Sequence, residues 1–188
     1  MNRRVRAAPC VFETREEENG PVIEGYFARF DDTYRISQGM AERVAPGAFG
    51  DMAGEDVRAL INHDTSLVLG RTKAQTLSLR ETADGLWGRI VVNTRDSDAM
   101  NLYERVKRGD VDQCSFGFDI LDEDMEKLNN GILWTIKSVK LYEVSVCTFP
   151  AYERTQVMAR EADAQAAQAS LRERWRQQMN KRLRQEAE

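Results

Sequence analysis

The sequence predicts one α+β or barrel-like domain followed by a helical tail. Three observations carry this. Several segments alternate apolar and polar residues and are rich in aromatic and β-branched side chains, as half-buried strands are. One internal segment, "DSDAMNLYERVKRGD", switches to helical periodicity. Past Val157 glycine and proline vanish and helix formers dominate. A chain of 188 residues accommodates one domain with an appendage. We place a flexible N-terminus at 1–9, the compact domain at 10–157 and the helical tail at 158–188.

The elements follow in order. "VIEGYFARF" (22–30) alternates and reads as a strand. "APGAFGD" is a turn, and "VRALINHD" a second strand with His63 at its end. "TLSLRE" and "LWGRIVV" are two more, joined through the Asp84-Gly85 hairpin signal. The helix opens on acidic capping residues and stops at Gly109, with Met100, Tyr103, Val106 and Lys107 on one face. Strand character returns at "CSFGFDI". The polar stretch "LDEDMEKLNNG" carries a loop signal at Asn130-Gly131. The run from Ile132 to Tyr152 alternates, with Leu141, Glu143, Ser145 and Cys147 on one face, until Pro150 stops it. In the tail, Leu171, Trp175, Met179 and Leu183 form a stripe too narrow to cover a core, so the tail is expected to dock on a partner.

Composition narrows the function classes. A 41% hydrophobic and 31% charged chain is an ordinary soluble domain. The net charge is −4 with both signs interspersed, which argues against a general nucleic-acid binder. No run approaches the ~20 apolar residues that span a bilayer. "MNRRVRAAPCVFE" lacks the apolar core of a signal peptide. Cys10, Cys114 and Cys147 show no CxxC spacing, so neither a zinc site nor a disulfide scaffold is expected, and a reducing compartment fits. No cofactor or metal is expected.

Candidate chemistry centres on His63, the chain's one histidine, which would have no competitor as a base working near neutral pH. Ser115 enters a strand just after the helix-ending turn, where a side chain can face a cleft. Cys114 is its rival as nucleophile; strand neighbours point to opposite faces, so only one of them can meet His63. No GxSxG elbow surrounds Ser115. A third group must fix the imidazole tautomer. Glu143 sits between apolar neighbours mid-strand, where a carboxylate needs a partner or loses solvation; the plain alternative is a solvent-facing glutamate. Asp64, next to His63 in sequence, would point away from it. Arg71 could supply charge or be tied up in a structural ion pair.

The stretches "EGYFARFDD", "ERVAPGAFGD", "ALINHDTSLVLGRT", "LSLRETADGLWGRIVV", "LYERVKRGDVDQCSFGFDI" and "VKLYEVSVCTFPAYERTQV" come in one family's order and spacing over about residues 22–157. The chain thus resembles the prohead (capsid maturation) serine proteases of tailed bacteriophages, distantly similar in fold to herpesvirus assembly proteases. The resemblance implies a small distorted, mostly antiparallel β-barrel flanked by helices. It maps the histidine of "NHD" to His63, the serine of "SFGF" to Ser115 and the carboxylate of "YEVS" to Glu143. It implies a serine endopeptidase that cleaves scaffold, or a scaffolding segment of the major capsid protein, and itself, inside the assembling prohead in the host cytoplasm. The partners it implies are those capsid and scaffold proteins, with a second copy of the chain as a further candidate and no nucleic acid or membrane. A non-catalytic capsid assembly or scaffold module on the same fold is the competing reading.

Overall fold

The computed structural model describes residues 4–9, 12–17, 20–30, 32–149 and 173. The chain divides into two units, 1–151 and 152–188. All described strands and the α-helix belong to the first, and the expected helical tail, Glu173 apart, lies outside the described residues.

Eleven strands and one α-helix are present among the described residues. Seven strands make one sheet: β1 (Arg4–Pro9), β4 (Tyr34–Ser37), β5 (Met40–Val44), β6 (Arg58–Ile61), β7 (Asp64–Arg71), β10 (Gln113–Leu128) and β11 (Gly131–Cys147). Four make a second, fully antiparallel sheet in the order β2 (Glu13–Glu17), β3 (Gly20–Arg29), β9 (Gly85–Val91), β8 (Leu77–Glu81).

The long strand β11 organises the first sheet. Antiparallel β10 covers one of its edges along nearly its whole length. The other edge is shared end to end by two short parallel strands. β5 pairs with Ile132–Ile136 and β6 with Glu143–Val146. Between them the turn "APGAFGD" stays attached through Ala45 N to Ile136 O (2.9 Å) and Val139 N to Ala48 O (2.9 Å). The Glu81 carboxylate on β8 caps this turn by accepting from Gly47 N and Phe49 N at 2.6 and 3.0 Å. Phe49 is buried, and a buried N–H needs such an acceptor.

Strand periodicity then sorts the side chains. Phe116 and Phe118 of β10 and Val144 and Val146 of β11 join Ile23, Phe27, Leu86 and Ile90 of the second sheet in one buried cluster. The intervening residues Ser115, Gly117, Glu143, Ser145 and Cys147 take the opposite face. A bulge pairs Gly117 with Glu143 but Phe118 with Leu141, skipping Tyr142. It removes Leu141 from the predicted Glu143 stripe and adds it to the core.

Helix α1 (Ser97–Arg108) has the predicted ends. Asp96 accepts from Asp98 N and Ala99 N, and Gly109 closes the last turn with φ +84°. Its buried face is Ala99, Leu102, Tyr103 and Val106; Met100 is only partly buried and Lys107 is exposed.

The expected α+β barrel flanked by helices is not the observed fold. The described chain is mostly β, with two open sheets and a single helix, and two of its strand pairings are parallel. A barrel closes only when each edge strand finds a partner. Among the described residues β1, β4 and β7 end the first sheet and β2 and β8 end the second, with no ladder joining the sheets. β2 reads "ETREE", a charged edge of the kind that resists further pairing. Arg4–Pro9, within the segment expected to be flexible, forms β1 antiparallel to β10. The polar stretch after Ile120 continues β10 as a largely exposed hairpin arm, and its turn to β11 falls at the Asn130-Gly131 loop signal.

Candidate active site

His63 is delivered by a two-residue turn. Ile61 pairs with Asp64, so Asn62 and His63 alone reverse the chain from β6 to β7. Both adopt positive φ, +50° and +62°, as tight hairpin turns matched to strand twist require. Asparagine and histidine tolerate this region better than most residues. The turn is pinned to β11 and the residue just past it at three points: Asn62 N to Val146 O (3.1 Å), Thr148 N to Asn62 Oδ1 (2.9 Å) and His63 N to Ser145 Oγ (3.2 Å).

From that anchor the imidazole lies along one face of β11. Nδ1 is 2.8 Å from Glu143 Oε1, and Nε2 is 3.8 Å from Cys147 Sγ. Glu143, Ser145 and Cys147 are two residues apart in turn, so the strand repeat aligns them beneath the ring. The Glu143 side chain is 2% exposed and that of His63 is 23% exposed, so the imidazole forms the solvent side of the pair. A buried carboxylate needs compensation, and here at least two donors supply it. The second is Ser145, whose hydroxyl donates to Glu143 Oε2 at 2.6 Å.

Ser115 lies opposite Ser145 in the β10–β11 register. Directly opposed residues share a face with Cβ atoms about 4.5–5.5 Å apart, so Ser115 stands beside the row that carries the imidazole. It is fully buried. Its neighbour Cys114 points the other way, its single S–H shared between Tyr26 O and Phe27 O of β3, 3.3 and 3.5 Å from the sulfur. Cys114 is thereby held on the core side, away from His63.

Two further candidates are placed elsewhere. Asp64 accepts from Ser66 N and Ser66 Oγ (2.8 and 2.6 Å), and these bonds hold its carboxyl below the usual range. Arg71, at the far end of β7, forms a two-pronged pair with Asp56, Nε to Oδ1 and Nη2 to Oδ2, both 2.7 Å. Arg58 and Lys73 flank the same carboxylate.

Two residues at this site carry no sequence signal of their own. Ser145 bridges Glu143 and the His63 backbone, and Cys147 faces Nε2. Burial, and next the Glu143 charge, pushes the Cys147 thiol up to about 12. Such a thiol stays protonated at neutral pH and is a poor nucleophile. Among the described residues no group of three or more His, Cys, Asp or Glu side chains is placed to hold a metal ion. No described helix is long and apolar enough to cross a membrane.

A carboxylate on one imidazole nitrogen and a hydroxyl on the adjoining strand are the parts of an acyl-transfer site. Comparison with known proteins points the same way. The family model for the caudovirus prohead serine protease matches residues 10–170. The prohead protease of Enterobacteria phage HK97 is 28% identical over 152 residues, covering 78% of this chain and 65% of that protein. The chain therefore spans just under two thirds of that relative's length. No solved structure matches.

Proposed function

The chain belongs to the caudovirus prohead serine protease family, and on that premise we propose that it is a serine endopeptidase with Ser115 as nucleophile, His63 as general base and Glu143 as the group that orients the imidazole. The observation that carries this reading is the His63–Glu143 contact of 2.8 Å on the sheet face that Ser115 shares.

In this reading Ser115 Oγ attacks the scissile carbonyl carbon while His63 Nε2 takes the hydroxyl proton. The Nδ1–H of His63 donates to Glu143 Oε1 throughout. That bond selects the tautomer with a free Nε2 and stabilises the imidazolium formed in the transition state. Collapse of the tetrahedral intermediate passes the proton to the leaving amine and leaves an acyl-Ser115 ester. Water, activated by the same imidazole, then releases the second product and restores the hydroxyl. Nε2 faces Cys147 in the structure and is the ring nitrogen left to serve Ser115, which lies across the register from Ser145 on the same face. Arg71 is committed to Asp56 and acts by holding the β6–β7 region.

The substrates we infer are the scaffold, or a scaffolding segment of the major capsid protein, and the protease itself, cut inside the assembling prohead. The test is co-expression with the neighbouring capsid gene, reading product masses with and without Ser115→Ala. Defined capsid fragments that vanish with Ser115→Ala support the reading. Fragments that persist with a folded Ser115→Ala protein overturn it.

A further inference from the structure

Ser145 is buried, carries no charge and lies outside the Ser115, His63 and Glu143 set, yet its hydroxyl makes two bonds into that set. It donates to Glu143 Oε2 at 2.6 Å and accepts from the His63 backbone N–H at 3.2 Å. One hydroxyl supplies one donor and two acceptor sites, so both bonds are made at once. The first fixes the carboxylate plane: with Oε2 held by Ser145, Oε1 is left aimed at His63 Nδ1, 2.8 Å away. The second fixes the backbone of the histidine within a turn whose two residues both have positive φ. We propose that Ser145 is a positioning residue that locks Glu143 and the His63 turn into one rigid unit, so that the imidazole keeps the single orientation set by its Nδ1 bond to Glu143. This deepens the protease reading and rests on it.

The alternatives at this position are clear. Alanine would leave Glu143 Oε2 and the His63 N–H without these partners beside a buried carboxylate, where a lost hydrogen bond costs most. Threonine keeps the hydroxyl on the same carbon. The charged and titratable groups that face His63 are Glu143 and Cys147 from β11; adjacent Asp64 is engaged by Ser66. Neither Cys147 nor Asp64 reaches the imidazole Nδ1 or the turn N–H, so neither substitutes for Ser145.

The experiment uses the full chain and two readouts. Cleavage of a capsid-derived peptide is followed for wild type, Ser145→Ala and Ser145→Thr. Outer partners that orient a functional imidazole are typically worth about 10–100-fold, so Ser145→Ala is expected to lose about that much in kcat with KM unchanged, and Ser145→Thr to recover most of it. The second readout is the downfield Nδ1–H proton resonance of the lone histidine, recorded in the uncleaving Ser115→Ala background. It is expected to persist with Ser145→Thr and to broaden away with Ser145→Ala as the ring is freed to exchange. A Ser145→Ala protein with wild-type kcat overturns the proposal. So does one that loses kcat while the Nδ1–H signal is unmoved, since that is a general structural defect. Should Ser145→Ala fail to fold, Ser145→Cys, nearly isosteric with a weak donor, must show the same losses in smaller degree, and wild-type behaviour there overturns the idea. Failure of the protease reading itself looks different: the wild type would leave the peptide intact or Ser115→Ala would still cleave it, while the resonance would still decide the role of Ser145.

Discussion

Nδ1 of His63 and Oε1 of Glu143 meet at 2.8 Å although 80 residues separate them in the chain. If that contact orients a general base, the three residues act as a unit. Ser115→Ala and His63→Ala should each cost on the order of 10⁴–10⁶ in rate. Glu143→Gln should cost less, about 10²–10⁴, because nucleophile and base remain. Peptide cleavage by folded variants measures this, and near-normal turnover by Ser115→Ala would remove the assignment.

Cys147 sits at Nε2 with its thiol raised to about 12. It should therefore stay unreactive across neutral pH. A serine-directed phosphonate is expected to label Ser115, and a thiol reagent at pH 7–8 to leave Cys147 unmodified in the folded protein. Cys147→Ala should keep activity within about tenfold, since it removes no proton-transfer group. Mass spectrometry of the labelled peptides checks it; a Cys147 adduct that tracks inactivation would point to a thiol enzyme.

The Asp56 carboxyl is lowered from 3.8 to about 2, chiefly by its side-chain hydrogen bond to Arg71 and then by the charges of Arg58, Arg71 and Lys73. A depressed folded value means the folded state holds this proton less tightly than the unfolded one. The stabilisation is thus present above about pH 4 and lost as pH falls toward 2. Asp56→Asn should lower Tm at pH 7, and the gap from wild type should narrow between pH 4 and 2. A gap that does not change with pH would place the effect in packing instead.

Gly85 has φ +151°, and a Cβ there would meet Ala28 O at 2.0 Å. Gly85→Ala must move the β3–β9 ladder apart at its end. We expect a loss of about 2 kcal/mol, seen as a fall in Tm of roughly 4–8 °C for a domain of this size. Gly109→Ala, where nothing lies within 4 Å, should cost about 1 kcal/mol from its positive φ alone. Thermal melts of the two variants separate steric clash from backbone preference.

Much of this arrangement was legible because its signals are local. Asp96 and Gly109 mark the helix ends by capping chemistry alone. A sole histidine at a strand end, and a glutamate between apolar strand residues, stand out without any tertiary information. The period-two repeat also puts Glu143, Ser145 and Cys147 on one face. What the sequence hid is nonlocal. Nothing in "MAERV" or "RALI" announces that the two share one edge of β11, and that sharing helps leave the sheet open. The "LDEDMEKL" arm of β10 lacks alternation because it is mostly exposed to solvent, so its strand character had no apolar signature. Ser145 is an unremarkable serine until Glu143 and the His63 turn arrive from elsewhere in the fold.

The alternation of β11 has a consequence for any preparation of this protein. Glu143, Ser145 and Cys147 contact His63, while Val144 and Val146 between them join the core. A slip of one residue against β10 would exchange the two sets, presenting valines to the imidazole and pushing a carboxylate and a hydroxyl into hydrocarbon. If that site is the active one, a chain threaded in this slipped register is inert, and the specific activity of a refolded batch reports the fraction of chains that avoided it.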